Sequence, residues 1–189
     1  MEPLDALGRA QDHFASLLAL VDDNQLANPT PCGEWDVTAL VRHVGAGNAL
    51  ACAALAGASR AEVMARYAEV DAMTDPRAAF RVGSSGLVDA FAQTGALERT
   101  CQHPAMEMTG ETLLNFRMGD LVLHGWDLAR GAGLNDTLDP ELVEVVYLAL
   151  EPMADVLPGT GMFGNGRSGA LDPSASRQTQ LLDIAGRRP

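Results

Sequence analysis

Lysine is absent from this chain: all 13 basic residues are arginine. That excludes Schiff-base chemistry, a lysine general base and a Walker-type phosphate loop, because each needs an ammonium group. Aromatic residues are scarce, at 5% of the sequence, so the core must come from Leu, Val and the 30 alanines. Abundant Ala with few aromatics favours helix over sheet. Long apolar runs are also missing. The longest stretch without charge, Val44 to Ser59, has 16 residues rich in Ala and Gly and contains Asn48. It is too short and too weakly apolar to span a bilayer. The N-terminus is charged and shows no apolar signal core. Cysteine is limited to Cys32, Cys52 and Cys101, odd in number and far apart. This pattern points to a reducing compartment, not to a disulfide framework or a cysteine zinc site. Basic charge is outnumbered, with a formal net charge of −12 and a pI near 4.5, which argues against nucleic acid and against an anionic membrane surface. The expectation is a soluble cytoplasmic protein.

The 189 residues suit a single domain spanning the whole chain. Apolar residues at helical spacing predict a first helix from Pro3 to about Asp22. Two prolines in Asn28-Pro29-Thr30-Pro31-Cys32-Gly33 break the chain there. Asp36 then caps a second helix running to about Ala58. Asp75-Pro76 opens a third, through Phe80, Leu87 and Phe91. Gly95 to Gly110 reads as irregular or briefly extended. Thr109 precedes a fourth helix reaching Arg130, and Asp139-Pro140 opens a fifth that ends before Pro152. A short last helix covers Gln180 to Ala185. Four principal helices with one or two short additions describe an all-α bundle.

The fourth helix carries the strongest chemical signal. Leu113, Leu114, Leu121 and Leu128 mark its buried face, and Arg117, Asp120 and His124 fall in the same sector. Three ionisable groups beside four leucines must be paired or must bind a metal. Asp120 and His124 are four residues apart and lie over one another, so they can share one divalent cation. An Asp–His or Asp–Arg pair that staples the helix fits the same spacing. Of the other histidines, His13 lies off the apolar stripe and His103 sits in the irregular segment before Pro104. His43 lies at the edge of the second helix's buried stripe, with Gly47 leaving space beside it.

Two segments resemble a known family. Thr30-Pro31-Cys32-Gly33-Glu34-Trp35-Asp36, followed by Leu40 and His43, is similar to T-P-C-x-x-W-D-x-x-x-L-x-x-H. Asp120-Leu121-Val122-Leu123-His124-Gly125-Trp126-Asp127-Leu128-Ala129 resembles D-x-x-x-H-x-W-D-L-A. The ending Leu181-Leu182-Asp183-Ile184-Ala185-Gly186-Arg187-Arg188-Pro189 also looks familial. These are marks of the DinB-like superfamily of metal-binding bundles, in the actinobacterial branch near mycothiol-dependent maleylpyruvate isomerase. The resemblance implies a four-helix bundle whose metal ligands are His43, Asp120 and His124. Maleylpyruvate isomerase proper has Glu where this chain has Asp120; the shorter acid still ligates.

Three protein ligands leave an open coordination position. Zinc suits this donor set first, with nickel or iron also possible. The implied activity is that of a transferase or isomerase using mycothiol, a small-molecule thiol, on a small electrophile. A non-catalytic metal or ligand binder, or a metal-dependent hydrolase, fits the same fold, and both a monomer and a homodimer are open. Arg117 is a candidate for binding a substrate carboxylate or for pairing with Asp120. Asp127 is a candidate for orienting His124, or for a plain pairing role at the helix end. Trp35 either anchors the core or walls the pocket, and the same holds for Trp126. Cys32, before a helix N-terminus, is a reactive thiol or a packed one. The segment from Gly159 to Pro173 holds five glycines. Its part from Gly159 to Gly169 is expected near the open side of the metal, with Met162 and Phe163 covering the pocket, the alternative being an exposed connection.

Overall fold

Helix α1 (Pro3–Ala19) buries Leu7, Phe14, Leu17 and Leu18 along one stripe. Proline occupies the first turn of α1, of α4 (Pro76–Ser84) and of α7 (Pro140–Leu150), where its missing N–H costs nothing. The computed structural model describes residues 1–33, 35–160, 163–172 and 174–188. Within them the all-α expectation holds. The remaining helices are α2 (Val37–Leu55), α3 (Arg60–Asp71), α5 (Leu87–Phe91), α6 (Gly110–Gly131) and α8 (Arg177–Ile184). A two-stranded antiparallel hairpin, β1 (Thr100–Gln102) and β2 (Glu107–Thr109), pairs Cys101 with Met108.

The 22-residue α6 is the axis of the fold. It packs against α1 and α2 and touches α7, α2 carries α3 and α4 on its other side, and α7 holds α8. One apolar cluster runs through all of these contacts. Between α2 and α4 the backbones meet. A Cβ on Gly83 would fall on the carbonyl of Gly45, and one on Gly45 would lie 2.6 Å from Ala79 O.

The structure differs from the sequence expectations in three places. The third helix is two pieces, α4 and α5, because Gly86 adopts a left-handed φ of 76° between them. Helix α3 was not anticipated. Only Val63 and Val70 are buried along it, too few to make a periodic stripe. The last helix begins earlier, at Arg177, with Ser176 accepting from Thr179 N. No described helix is long and apolar enough to cross a membrane.

Candidate metal centre

The loop before α2 is folded by its own polar groups. Thr30 N and Oγ1 both donate to Trp35 O, at 3.0 and 2.9 Å, and Gly33 takes a left-handed φ of 62°. Asp36 then caps α2 by accepting from Ala39 N at 2.7 Å. Asn28 Nδ2 donates to Gly131 O at the end of α6. The loop thereby lays Cys32 and Trp35 over the junction of α2 and α6.

At that junction His43 from α2 meets Asp120 and His124 from α6. Their ligating atoms lie within 4.8 Å of one another. His43 Nε2 and His124 Nε2 are each 3.5 Å from the same Asp120 Oδ1. The far side of each ring is occupied. His43 Nδ1 is 3.0 Å from Tyr67 Oη, and His124 Nδ1 is 2.9 Å from Asp127 Oδ2. Such partners fix the ring orientation and leave Nε2 facing the shared carboxylate. The indole of Trp35 covers the group, its centroid 4.4 Å from that of His43 and 5.8 Å from that of His124.

Two arginines hold the carboxylates. Arg117, 6% exposed, donates through Nη2 to Asp120 Oδ2 at 2.9 Å. It reaches Asn48 Oδ1 through both Nε and Nη2, at 3.1 and 2.8 Å, and Val44 O at 3.3 Å. Arg187 donates to Asp127 Oδ2 at 2.7 Å. Burial works against the Asp120 anion, but Arg117 and His124 hold its pKa well below the usual carboxylate range. Burial likewise opposes a charge on His124, yet Asp120, aided by hydrogen bonds to Asp127 and Cys32, raises its pKa well above that of a free imidazole. Asp127 is lowered, against burial, by His124 and Arg187. Burial, then the carboxylates of Asp71 and Asp120, push the Tyr67 hydroxyl up to about 12.

The group opens on a cavity of about 700 Å³. Leu50, Phe116, Leu123 and Leu150 give it apolar walls, and Cys32, Tyr67, His103, Arg117 and Arg187 supply polar edges. The structure thus brings together His43, Asp120, His124, Arg117, Asp127 and Trp35. Gly47 does leave space, but the Arg117 guanidinium fills it. Phe163 and Gly164 reach the cavity wall, whereas Arg167, Gly169 and Leu171 line a separate pocket beside Tyr147; Met162 lies outside the described residues. Trp126 is a core residue, 1% exposed. His13 is away from the cavity, whereas His103 lines it, edge-on to Phe116.

Sequence reasoning missed Tyr67, Arg187 and Asn48. Tyr67 lies on the unanticipated α3, whose start is marked by the capping box Ser59–Glu62, a readable signal. Arg187 and Asn48 are 60 and 69 residues from their partners and carry no local sign. Cys32, His124 and Asp127 also form a compact group, but Arg187 already neutralises Asp127 there.

The description of the mycothiol maleylpyruvate isomerase N-terminal domain family matches residues 7–129, a span that includes all three candidate ligands. The chain belongs to this family. Two uncharacterized proteins of Mycobacterium tuberculosis, Rv0738 and MT0763 of a second strain, are each 37% identical over 183 residues. That alignment covers 97% of this chain and 94% of theirs. The crystal structure of the mycothiol-dependent maleylpyruvate isomerase aligns with a TM-score of 0.62 and 18% identity, over 82% of this chain and 68% of that one. A histidine-to-alanine mutant of that enzyme aligns with the same score at 16% identity. At such identity the likeness establishes the shared DinB-like fold.

Proposed function

We propose that this family member is a divalent-metal-dependent transferase or isomerase that uses a low-molecular-weight thiol, mycothiol first, on a small electrophile. The observation that carries the reading is the pair of imidazoles turned on one carboxylate oxygen, each with its outer nitrogen engaged, at the floor of the cavity. Two imidazoles, which ligate once deprotonated, and a carboxylate form a donor set suited to zinc, nickel or iron. The 3.5 Å spacings are too long for strong hydrogen bonds, as expected of groups arranged around a shared guest. His43, Asp120 and His124 would hold the cation, and a divalent cation with an open position favours the thiolate of a bound thiol.

The remaining residues have roles that follow from their contacts. Tyr67 and Asp127 set the two rings. Arg117 fixes Asp120, and Arg187 fixes Asp127. Trp35 covers the histidines, and the apolar wall excludes water from a reacting thiolate. The three free thiols accord with a reducing, cytoplasmic setting, and the chain is taken to work as one domain.

The test incubates zinc-loaded protein with mycothiol and a panel of electrophiles that includes maleylpyruvate, followed by mass spectrometry. A thiol adduct or an isomerised product is expected, and it should vanish in His124→Ala. Water addition without thiol would replace this reading by hydrolysis, and tight binding without turnover would replace it by a ligand-binding role.

A further inference from the structure

Two hydrogen-bond donors in the cavity wall are not fully committed among the described residues. Arg117 is tied down through Nε and Nη2, but Nη1 makes no hydrogen bond among the described residues. That nitrogen sits where a Cβ on Gly47 would be, and Gly47 and Arg117 both line the cavity. The missing side chain at Gly47 is what makes room for Nη1 at the cavity wall. The second donor is Tyr67. Its hydroxyl has one protein partner among the described residues, His43 Nδ1 at 3.0 Å.

The direction of that bond depends on what His43 Nε2 does. A neutral imidazole carries one N–H. When Nε2 ligates a metal, the proton must be on Nδ1, which then donates to Tyr67 Oη. The Tyr67 proton then has no acceptor among the described residues and is available to the cavity that Tyr67 lines. Without metal, Nε2 faces Asp120 Oδ1 at 3.5 Å; in the neutral tautomer with its proton there, Nδ1 accepts and the Tyr67 proton is spent on it. The arginine and carboxylate side chains described on this wall are Arg117, Arg187 and Asp120 alone. Asp120 and Asp127 balance the two arginines of the wall, so an anionic guest is drawn by the uncommitted edge of Arg117 and not by net charge.

We propose that Arg117 Nη1 and Tyr67 Oη form an anion subsite for a carboxylate-bearing ligand with an apolar body, and that metal at His43 arms it by releasing the Tyr67 proton into the cavity. The Tyr67 half rests on the metal reading above; the Arg117 half does not. Tyr67 is a positioning and binding residue whose effect is conditional on the metal, and Arg117 is the constant part.

Calorimetric titration with benzoate and its neutral isostere benzamide, on zinc-loaded and metal-free protein, tests both halves. Benzoate should bind at least tenfold tighter than benzamide in both forms, as expected for a charge-assisted bond. Gly47→Ala puts a Cβ onto Nη1 and displaces the guanidinium, so in metal-free protein it should erase that preference. Tyr67→Phe should cost about tenfold in benzoate affinity with zinc bound and almost nothing without it. Equal affinities for the two probes in metal-free protein would overturn the subsite. Benzoate binding that needs zinc and ignores Gly47→Ala would also overturn it, by sending the carboxylate to the metal instead. A Tyr67→Phe loss of the same size in both forms would overturn the arming. Failure of zinc to bind at all would end the metal reading and the Tyr67 half together, while the metal-free titrations still decide Arg117.

Discussion

The two sides of α2 are held by opposite means. Toward α4, Gly45 and Gly83 bring backbone against backbone, with Ala46, Ala49 and Ala79 filling the seam. Toward α6, His43, Gly47 and Asn48 receive an arginine, a carboxylate and a second histidine. Asn48 joins the two sides: it accepts from Arg117 and donates through Nδ2 to Ser84 Oγ of α4 at 2.9 Å. The first side has no room for a Cβ at Gly45 or Gly83, and its seam is built of small apolar residues. The second accepts large groups but cannot tolerate a missing partner, since an unpaired buried charge costs more than an empty methyl site. Residues of modest size thus matter on one side and residues of matched charge on the other.

The largest effect should follow from unbalancing the charged side. Asp127 is fully buried and neutralises Arg187 while receiving His124 Nδ1. Asp127→Ala leaves both partners without their carboxylate, and breaking a buried pair from one end costs about 3–5 kcal/mol. Urea unfolding measures it. A loss under about 1 kcal/mol would mean that Arg187 finds water as easily as it found Asp127.

Next comes steric intrusion on the other side. Gly83→Ala places a Cβ on the Gly45 carbonyl, backbone that cannot swing away, and should cost about 3 kcal/mol, the upper range for overpacking. Gly8 on α1 has nothing within 4 Å of a Cβ, so Gly8→Ala should be neutral or slightly stabilising. If the two substitutions behave alike in thermal melts, the close approach of α2 and α4 has no energetic weight.

Metal removal should fall between these and the smaller pH effects, and should act on the charged side alone. Saturation at 100 times Kd stabilises by about 2.7 kcal/mol, so chelation should lower the melting temperature of the wild type. His43→Ala should abolish that response, and Gly83→Ala should keep it in full. A Gly83→Ala protein insensitive to chelator, yet containing metal, would show the two sides to be coupled.

What could be read in the sequence follows the same division. Asp120 and His124 announce themselves because one helix carries both at a spacing that superimposes them, and Asp127 and Arg117 follow one turn to either side. His43 needed the family motif, since its ligand geometry is set by how α2 lies on α6. The Gly45–Gly83 contact left no mark, because a glycine in each of two helices does not say which other glycine it meets. Arg187 and Tyr67 were hidden for a related reason. Their partners are fixed by chain reversals, and α3, with Val63 and Val70 as its only buried residues, gives too thin a stripe to place Tyr67.

The smallest effect separates the histidines by the sign of their response to pH. In metal-free protein His124 lies between Asp120 and Asp127, and its pKa is raised. Its contribution to stability is therefore fully present below the unfolded value of about 6.5 and is lost as pH rises through the folded value. His103 goes the other way. Burial, then the charges of Arg117 and Arg60, lower its pKa. There the unfolded chain takes up a proton first as pH falls below about 6.5, so stability drops on the acid side. His13, lowered by burial against a weaker pull from Asp139, behaves like His103. Urea midpoints measured across pH in metal-free protein should thus fall toward both ends. His124→Gln should flatten the alkaline limb and His103→Gln the acid limb, while Gly83→Ala should shift the whole curve downward without changing its shape. NMR titration of the imidazole protons reads the same order directly, and a His124 ring that loses its proton before His103 does would reverse the electrostatic account of the charged side.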